Sequence, residues 1–293
     1  MKHLLAFFLI AVQAYCAFAQ QPLTSAMWER NQQWMNPAFT GRDSSSVVAL
    51  NFRQQWLGFE AAPAMATAWG YGSFGRLGVG VLFQEERMGV WRRDAIGIQA
   101  AYHLPLGSGT FSAGMRVSIE MISEPLTSLA LVDGDDPEFT RGNENFWYIN
   151  PGVGLSWSSE RLKIFASAPR MMHTTASPAA DQWSAESELR LSAMPLSIGV
   201  GAVIIRKETV QWQLLAVALR ELESNFYPLV ATHAEFSGKM RLGLQYRHGR
   251  SAGAWVGLRI FRDLEMALAY ESALTGVASP HTGEIQLRYT LKP

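Results

Sequence analysis

Apolar and polar residues alternate with a period of two along most of the chain. The clearest stretch runs from Phe111 to Met121, where apolar side chains alternate with Ser, Gly, Arg and Glu. Successive side chains of a β-strand point to opposite faces, so this pattern predicts strands. The chain contains about fourteen such segments, and the alternation is weakest in the one near Leu189.

The predicted strands are about ten residues long, whereas strands of soluble sheets usually have five or six residues. A tilted strand of about ten residues spans a bilayer. One face of each segment is apolar, and the other carries Gly, Ala and Ser among scattered charges, as does the interior of a membrane barrel. Several segments have an aromatic residue near one end, where membrane barrels carry interfacial girdles. These aromatic residues are Trp56, Tyr71, Trp91, Tyr102, Trp157, Trp212, Tyr246, Tyr270 and Tyr289.

The pattern therefore predicts an all-β fold, a transmembrane antiparallel β-barrel of about 14 strands and of the outer-membrane type. Closure of the sheet pairs every backbone donor and acceptor within the protein, as the hydrocarbon region requires. A soluble β-sandwich or barrel also shows alternation, so the pattern alone leaves this alternative open. The alternative fits less well, because the polar faces are poor in charge and rich in Gly and Ala.

The beginning of the chain has the composition of an export signal. Lys2 precedes an apolar run, and residues 17–19 read Ala-Phe-Ala, which is typical of a cleavage site. We expect residues 1–19 to be a signal peptide rather than an N-terminal anchor helix, because the apolar run is short. The only cysteine, Cys16, lies in this segment, so the mature chain has no disulfide and no thiolate metal site.

Two regions follow the predicted signal. Residues 20–45 include a turn-rich stretch, and we expect them to form an N-terminal periplasmic or plug segment, while residues 46–293 are expected to form the barrel. Residues 123–146 and 170–188 interrupt the alternation and predict long loops. The first loop holds four carboxylates that suit either a calcium ion or, more simply, a solvated acidic loop. They are Asp133, Asp135, Asp136 and Glu138.

The composition gives no support for several kinds of chemistry. The 25 basic and 25 acidic residues cancel, and the chain lacks the basic stripe of a nucleic-acid-binding protein. It also lacks a phosphate-binding loop, a dinucleotide fingerprint and a Cys/His metal spacing, so we expect no cofactor. The G-x-S-x-G and H-E-x-x-H motifs are missing as well, and we expect no enzymatic activity. A barrel enzyme remains an alternative, and its candidate bases are His103, His173, His233, His248 and His281.

The most specific motif of the chain is NPAFTG after the predicted signal, followed by RQQW at the end of the first predicted strand. With the proline that comes next, it resembles the PorP/SprF family, which comprises outer-membrane proteins associated with type IX secretion in the Bacteroidetes. A DDPEF segment is similar to a loop motif of the same family. The residues that carry the resemblance are Asn36, Pro37, Ala38, Gly41, Arg53, Gln55, Trp56, Gly58 and Pro63, with Asp135, Asp136, Pro137 and Phe139 in the loop.

The resemblance implies a non-enzymatic outer-membrane barrel whose partners are type IX secretion components, a large secreted adhesin, or both. The expected contacts are the two long loops and residues 20–45. Strand parity places Arg53 and Gln55 on the face away from lipid, where they either hold the N-terminal segment as a plug or only close the barrel. A passive porin is the alternative function. Its pore would be lined by Arg116, Glu120, Arg241, Arg247 and Arg259.

Overall fold

The computed structural model describes residues 25–43, 45–125, 143–179, 182–221, 225–274 and 281–291. Within these residues the polypeptide forms a closed antiparallel barrel of fourteen strands and a separate two-stranded sheet. The predicted fold class and strand number are confirmed. The predicted signal peptide, residues 1–19, and the acidic residues 133–138 lie outside the described residues.

The alternating segments form long strands, as the pattern predicts. The strands are β1 (Ser46–Gln54), β2 (Ala64–Phe74), β3 (Leu77–Met88), β4 (Trp91–Leu106), β5 (Gly109–Pro125), β6 (Asn143–Ser159), β7 (Leu162–Ala168), β8 (Met172–Ala179), β9 (Gln182–Leu189), β10 (Leu196–Arg206), β11 (Val210–Arg220), β12 (Tyr227–Phe236), β13 (Met240–Arg247), β14 (Ser251–Arg259), β15 (Leu264–Ala273) and β16 (His281–Leu291).

Each barrel strand pairs with its neighbours in the sequence, except at two places. β16 pairs with β1 and closes the barrel, with Ser46 opposite Leu291. β7 pairs with β10, because β8 and β9 form a hairpin outside the barrel wall. The segment near Leu189, where the alternation is weakest, is β9 of this hairpin.

The two predicted long loops are shorter than the sequence pattern indicated. β5 continues to Pro125 and β6 begins at Asn143, so both ends of the predicted loop 123–146 belong to strands. Most of the predicted loop 170–188 forms β8 and β9, which pair with each other. These two strands carry polar residues on both faces, so a search for an apolar face detects β9 only weakly and does not detect β8.

The apolar positions of the sequence pattern form the outer face of the barrel wall, and the positions between them form its inner face. Outward side chains are apolar and exposed, as for Met115 and Leu244, which are 64% and 60% exposed. Inward side chains are small or polar at many positions, and Glu120 is buried. A continuous apolar exterior of this kind matches hydrocarbon and not water. Among the predicted girdle residues, Tyr71 is an exception, since it faces inward and stacks on Trp69.

The two ends of the barrel differ in the length of their connections. At the end that we call the short-turn end lie the start of β1 and the end of β16. The connections there are 75–76, 107–108, 160–161, 207–209, 237–239 and 260–263. At the opposite end, which we call the long-loop end, lie the connections 55–63 and 169–195, the second of which includes the β8–β9 hairpin, together with the short turns 89–90 and 248–250. β5 ends and β6 begins at this end as well.

Candidate functional site in the barrel lumen

A segment of residues 25–41, here called the lumen segment, lies inside the barrel. It consists of two 3₁₀ turns, Trp28–Asn31 and Pro37–Phe39, on either side of one α-helical turn, Gln32–Met35. Its hydrogen bonds reach opposite walls, with partners on β2, β4 and β7 and on β12, β13 and β16. Among the described residues, no helix is long and apolar enough to cross a membrane.

Four charged side chains hold the N-terminal end of the lumen segment. Arg53 lies between Glu271 and Glu284 at 3.2 Å from each carboxylate, and Arg247 pairs with Glu271 at 3.0 Å. Glu284 accepts a hydrogen bond from the Ser25 hydroxyl at 2.5 Å and another, at 2.6 Å, from the next backbone amide. These four residues, the charged quartet, are at most 4% exposed. Arg53 therefore faces the lumen and acts on the segment through Glu284.

Arg30 joins the middle of the lumen segment to β14, β15 and β16. Its Nη1 donates to Glu265 Oε1 at 2.6 Å, and its Nε donates to Gln286 Oε1 at 2.8 Å. The guanidinium also lies 5.3 Å from the centre of the Trp255 ring, in a cation–π contact. Burial lowers the pKa of Arg30 to about 10, against the attraction of Glu265, so the side chain is protonated at neutral pH.

Arg116 and His103 bind main-chain carbonyls of the lumen segment. Arg116 Nη2 donates to the carbonyl oxygens of Gln33 at 2.9 Å and Trp34 at 2.7 Å. His103 Nε2 donates to the carbonyl oxygen of Thr40 at 2.9 Å, because a carbonyl only accepts. These bonds satisfy buried backbone acceptors and so fix the path of the segment's backbone.

The Asn36-Pro37-Ala38 motif packs directly against the backbone of β5 and β6. Asn36 Oδ1 accepts a hydrogen bond from the Ala38 amide at 2.9 Å and caps the second 3₁₀ turn, where Pro37 has no N–H that would need an acceptor. A Cβ atom on Gly114 would lie 2.4 Å from the Ala38 nitrogen, and one on Gly154 would lie 1.9 Å from Asn36 Oδ1. These two glycines are opposite each other in the β5–β6 ladder and form a groove that receives the motif.

Gly41 makes a second close approach at the short-turn end. Its φ of +64° lies in the left-handed region, which favours glycine. A Cβ atom on Gly41 would lie 2.5 Å from the Cα of Gly78 on β3. The spacing of Asn, Pro, Ala and Gly in this motif therefore follows from contact between the segment and the strand backbone.

We expect Gly154→Ala to displace Asn36 and destabilise the folded barrel by about 1–3 kcal/mol, the usual cost of overpacking. Gly97→Ala is the matched control, because Gly97 also faces the lumen but its Cβ would approach no atom more closely than the Ser118 Cβ, at 3.3 Å. The unfolding temperatures of both variants in one detergent check this prediction. Equal temperatures for the two variants would contradict the packing account.

The other predicted motif residues lie at the long-loop end, in the connection that follows β1. Gln55 is buried, and its backbone N–H donates to the Pro63 carbonyl oxygen at 2.8 Å. Trp56 and Gly58 have positive φ values of 49° and 91° in this turn. Of the predicted motif residues, 36–41 thus form part of the lumen segment, and Arg53 lies in the barrel wall beside it. The predicted loop residues Asp135, Asp136, Pro137 and Phe139 lie outside the described residues.

Aromatic and aliphatic side chains fill much of the remaining lumen. Trp28 stacks on Phe165 with ring centroids 5.4 Å apart, and Phe39 meets the same ring edge-on at 5.5 Å. Leu215 of β11 and Leu229 of β12 belong to the same cluster. Much of the inward face of β11 and β12 is therefore apolar, although His233 of β12 also faces inward and hydrogen-bonds to Glu29, whereas the sequence pattern predicted a small and polar interior.

Sequence reasoning missed most of the wall residues that hold the lumen segment. Glu271, Glu284 and Gln286 were not proposed as functional, and Arg30 was not singled out within the turn-rich N-terminal region. A signal for the first three was available, since each is a polar residue at the inward parity of β15 or β16. No such signal exists for Arg30, because its segment is not a strand and its apolar and polar residues do not alternate regularly.

The closed barrel, the apolar exterior and the polar interior define an outer-membrane β-barrel protein. A sequence profile described as "Type IX secretion system membrane protein PorP/SprF" matches residues 17–289, nearly the whole chain. The chain belongs to the PorP/SprF family of type IX secretion system membrane proteins. The family and the barrel fold together support a location in the outer membrane.

Solved structures of outer-membrane barrels share the fold. The CymD monoaromatic hydrocarbon channel aligns with a TM-score of 0.53 and 13% identity, over 89% of this chain and 92% of that chain. A Pseudomonas aeruginosa FadL homologue aligns with a TM-score of 0.50 and 10% identity, over 95% and 96% of the two chains. Omp33 of Acinetobacter baumannii gives a TM-score of 0.50 and 8% identity, over 85% and 99%. Identities this low show the fold alone, and among curated proteins none matches the chain.

Proposed function

We propose that this barrel is a non-enzymatic docking protein of the type IX secretion and gliding machinery, exported by its N-terminal signal peptide. Its partner is the periplasmic secretion ring, or a large secreted adhesin whose export or surface anchoring it supports. The observation that carries this proposal is the filled lumen, in which residues 25–41 bind to opposite walls. A barrel with an occupied interior offers its two end surfaces to partners and leaves little space for solutes.

A passive porin is less well supported, because most of the predicted pore-lining residues are engaged. Arg116 binds carbonyls of the lumen segment, and Glu120 accepts a hydrogen bond from the Tyr148 hydroxyl at 2.8 Å. Arg241 pairs with two carboxylates at 2.8 and 3.1 Å, and Arg247 belongs to the charged quartet. Four of the five predicted pore-lining residues thus bind other groups of the protein, which supports a filled interior over a continuous water-filled path.

The lengths of the connections support one orientation. Outer-membrane barrels have short turns on the periplasmic side and longer loops outside. By this rule the short-turn end meets the periplasmic ring, and the long-loop end, with the β8–β9 hairpin and the connection 126–142, meets a secreted adhesin. The motif in Asp135–Phe139 stays a predicted contact of that outer surface. We assign residues 36–41 and Arg53 the role of fixing the plug and not of touching the partner directly.

Co-purification tests the proposal. We expect the tagged chain, extracted from outer membranes in mild detergent, to recover type IX ring components or one very large secreted adhesin, identified by mass spectrometry. The matched control is the same tagged chain from cells that lack the ring. A variant without residues 126–142 separates the two partners, because only adhesin recovery depends on an outer loop. Recovery of the barrel alone, together with open-pore conductance in a bilayer, would contradict the proposal.

A further inference from the structure

A cavity with several arginines opens at the short-turn end of the lumen, beside the turn 260–263. Its volume is about 180 Å³, and the charged residues that line it are Arg241, Arg259, Arg262, Asp263, Glu265 and Arg288. This volume is well below the 300–1,000 Å³ of ordinary small-molecule sites. The cavity therefore suits one or two acidic side chains better than a whole small molecule.

Four arginines and two carboxylates, Asp263 and Glu265, line the cavity, so positive charge is in excess there. Glu265 is bound by Arg30 at 2.6 Å and by Arg241 at 3.1 Å, so its charge is already neutralised. In contrast, Arg259 and Arg262 form no ion pair with any residue that the structure describes. Arg288 lies opposite Glu265 in the β15–β16 ladder but forms no ion pair within the described ranges, and its guanidinium lies 5.9 Å from the centre of the Trp69 ring.

The surrounding surface has the same sign of charge. Eight basic and three acidic residues are exposed at the short-turn end within the described part of the chain. The basic residues are Arg42, Arg76, Arg161, Arg206, Lys207, Lys239, Arg259 and Arg262, and the acidic residues are Asp43, Glu160 and Glu208. Since the chain as a whole is neutral, this excess of positive charge is a local property of one end.

The cavity faces the mouth of the lumen and not the lipid. Arg241, Arg259, Glu265 and Arg288 all occupy inward positions of their strands, two residues from buried inward-facing residues. A lipid headgroup would approach from the outward face, whereas a water-soluble partner approaches the mouth directly. The guanidinium groups of Arg259 and Arg262 carry the donor geometry that binds carboxylates in pairs.

We propose that this cavity and the basic surface around it bind an acidic segment of a periplasmic protein, with Arg259 and Arg262 as the principal contacts. The inference rests on the docking function proposed above and adds the chemistry of the partner. A basic mouth also raises the association rate of an acidic partner by electrostatic steering, so binding should weaken as salt increases.

A binding measurement with purified protein tests the inference. The probe is a fluorescein-labelled hexaglutamate peptide, added to the full-length barrel in detergent at low salt. We expect salt-dependent binding that R259Q/R262Q weakens at least about tenfold, because two charge-assisted contacts are lost. The matched control is R87Q/R92Q, two exposed arginines at the opposite end whose carboxylate partners are Glu85 and Asp94.

Three outcomes would overturn the inference. Equal binding by R259Q/R262Q and the wild-type chain would show that the cavity is not the site. Binding of phosphatidylglycerol vesicles in place of the peptide, lost in R259Q/R262Q, would show that the site takes a lipid headgroup. Unchanged recovery of the ring from cells that carry R259Q/R262Q would show that the cavity does not contribute to docking. The proposed function itself would fail only if the wild-type chain recovered no secretion component.

Discussion

Replacement of Arg53 by alanine is expected to lower the free energy of unfolding by about 3–5 kcal/mol, the usual cost of removing one partner of a buried ion pair. Arg53 lies between Glu271 and Glu284, and all three side chains are almost completely buried. Without the guanidinium, two carboxylates face each other, with only Arg247 to compensate them. Thermal or urea unfolding in detergent, followed by circular dichroism, measures the loss.

The control for this prediction is Arg87→Ala. Arg87 also pairs with a glutamate, Glu85, but its side chain is 60% exposed. Exposed ion pairs contribute about 0–1 kcal/mol, so we expect almost no change in the unfolding transition. If Arg53→Ala cost no more than Arg87→Ala, the charged quartet would not be what holds the N-terminal end of the lumen segment.

Replacement of residues 25–41 by a Gly/Ser sequence of the same length is expected to turn a closed barrel into a conducting one. Barrels of eight strands are filled by their own side chains, while those of sixteen strands enclose aqueous channels. A fourteen-stranded barrel without its lumen segment falls near the upper end of this range. In planar bilayers we expect steady conductance steps from the variant with the Gly/Ser segment and no steady conductance from the wild-type chain.

The replaced chain needs a folding check, because the lumen segment contributes much of the interior packing. If its circular dichroism lacks the β-sheet signal, R30A/R116A is the second variant, since it keeps the segment but removes two of its anchors. From that variant we expect brief openings that the full chain lacks. A full chain that conducts steadily, or a folded replaced chain that stays closed, would contradict the filled-lumen account.

The barrel itself was predictable from sequence, because every strand of the barrel wall shows its own alternation of apolar and polar residues. The outward face of each strand meets lipid along its whole length, so the apolar period of two persists through residues such as Met115 and Leu244. The β8–β9 hairpin is not part of the barrel wall, and its alternation is weak. The inward faces are less regular, because β11 and β12 present Leu215 and Leu229 to the lumen segment instead of polar groups.

The candidate site was predictable only in part. Parity along β1 placed Arg53 inside the barrel, and the NPAFTG motif marked the segment that packs against Gly114 and Gly154. Which wall residues meet that segment depends on how fourteen strands close around it, and strand parity alone does not give this. Glu284 meets Ser25 across 259 positions of sequence, so no local pattern indicates their contact.

The most direct test of the filled lumen is thiol labelling of single cysteines, since the mature chain is predicted to have none of its own. Ser156→Cys and Ser197→Cys place a thiol at two inward positions that are each 3% exposed, near opposite ends of the lumen. Ser108→Cys, in an exposed short turn, is the control. With a bulky, water-soluble maleimide the account predicts rapid labelling of Ser108→Cys and almost none of the other two. Labelling of all three at similar rates would contradict it.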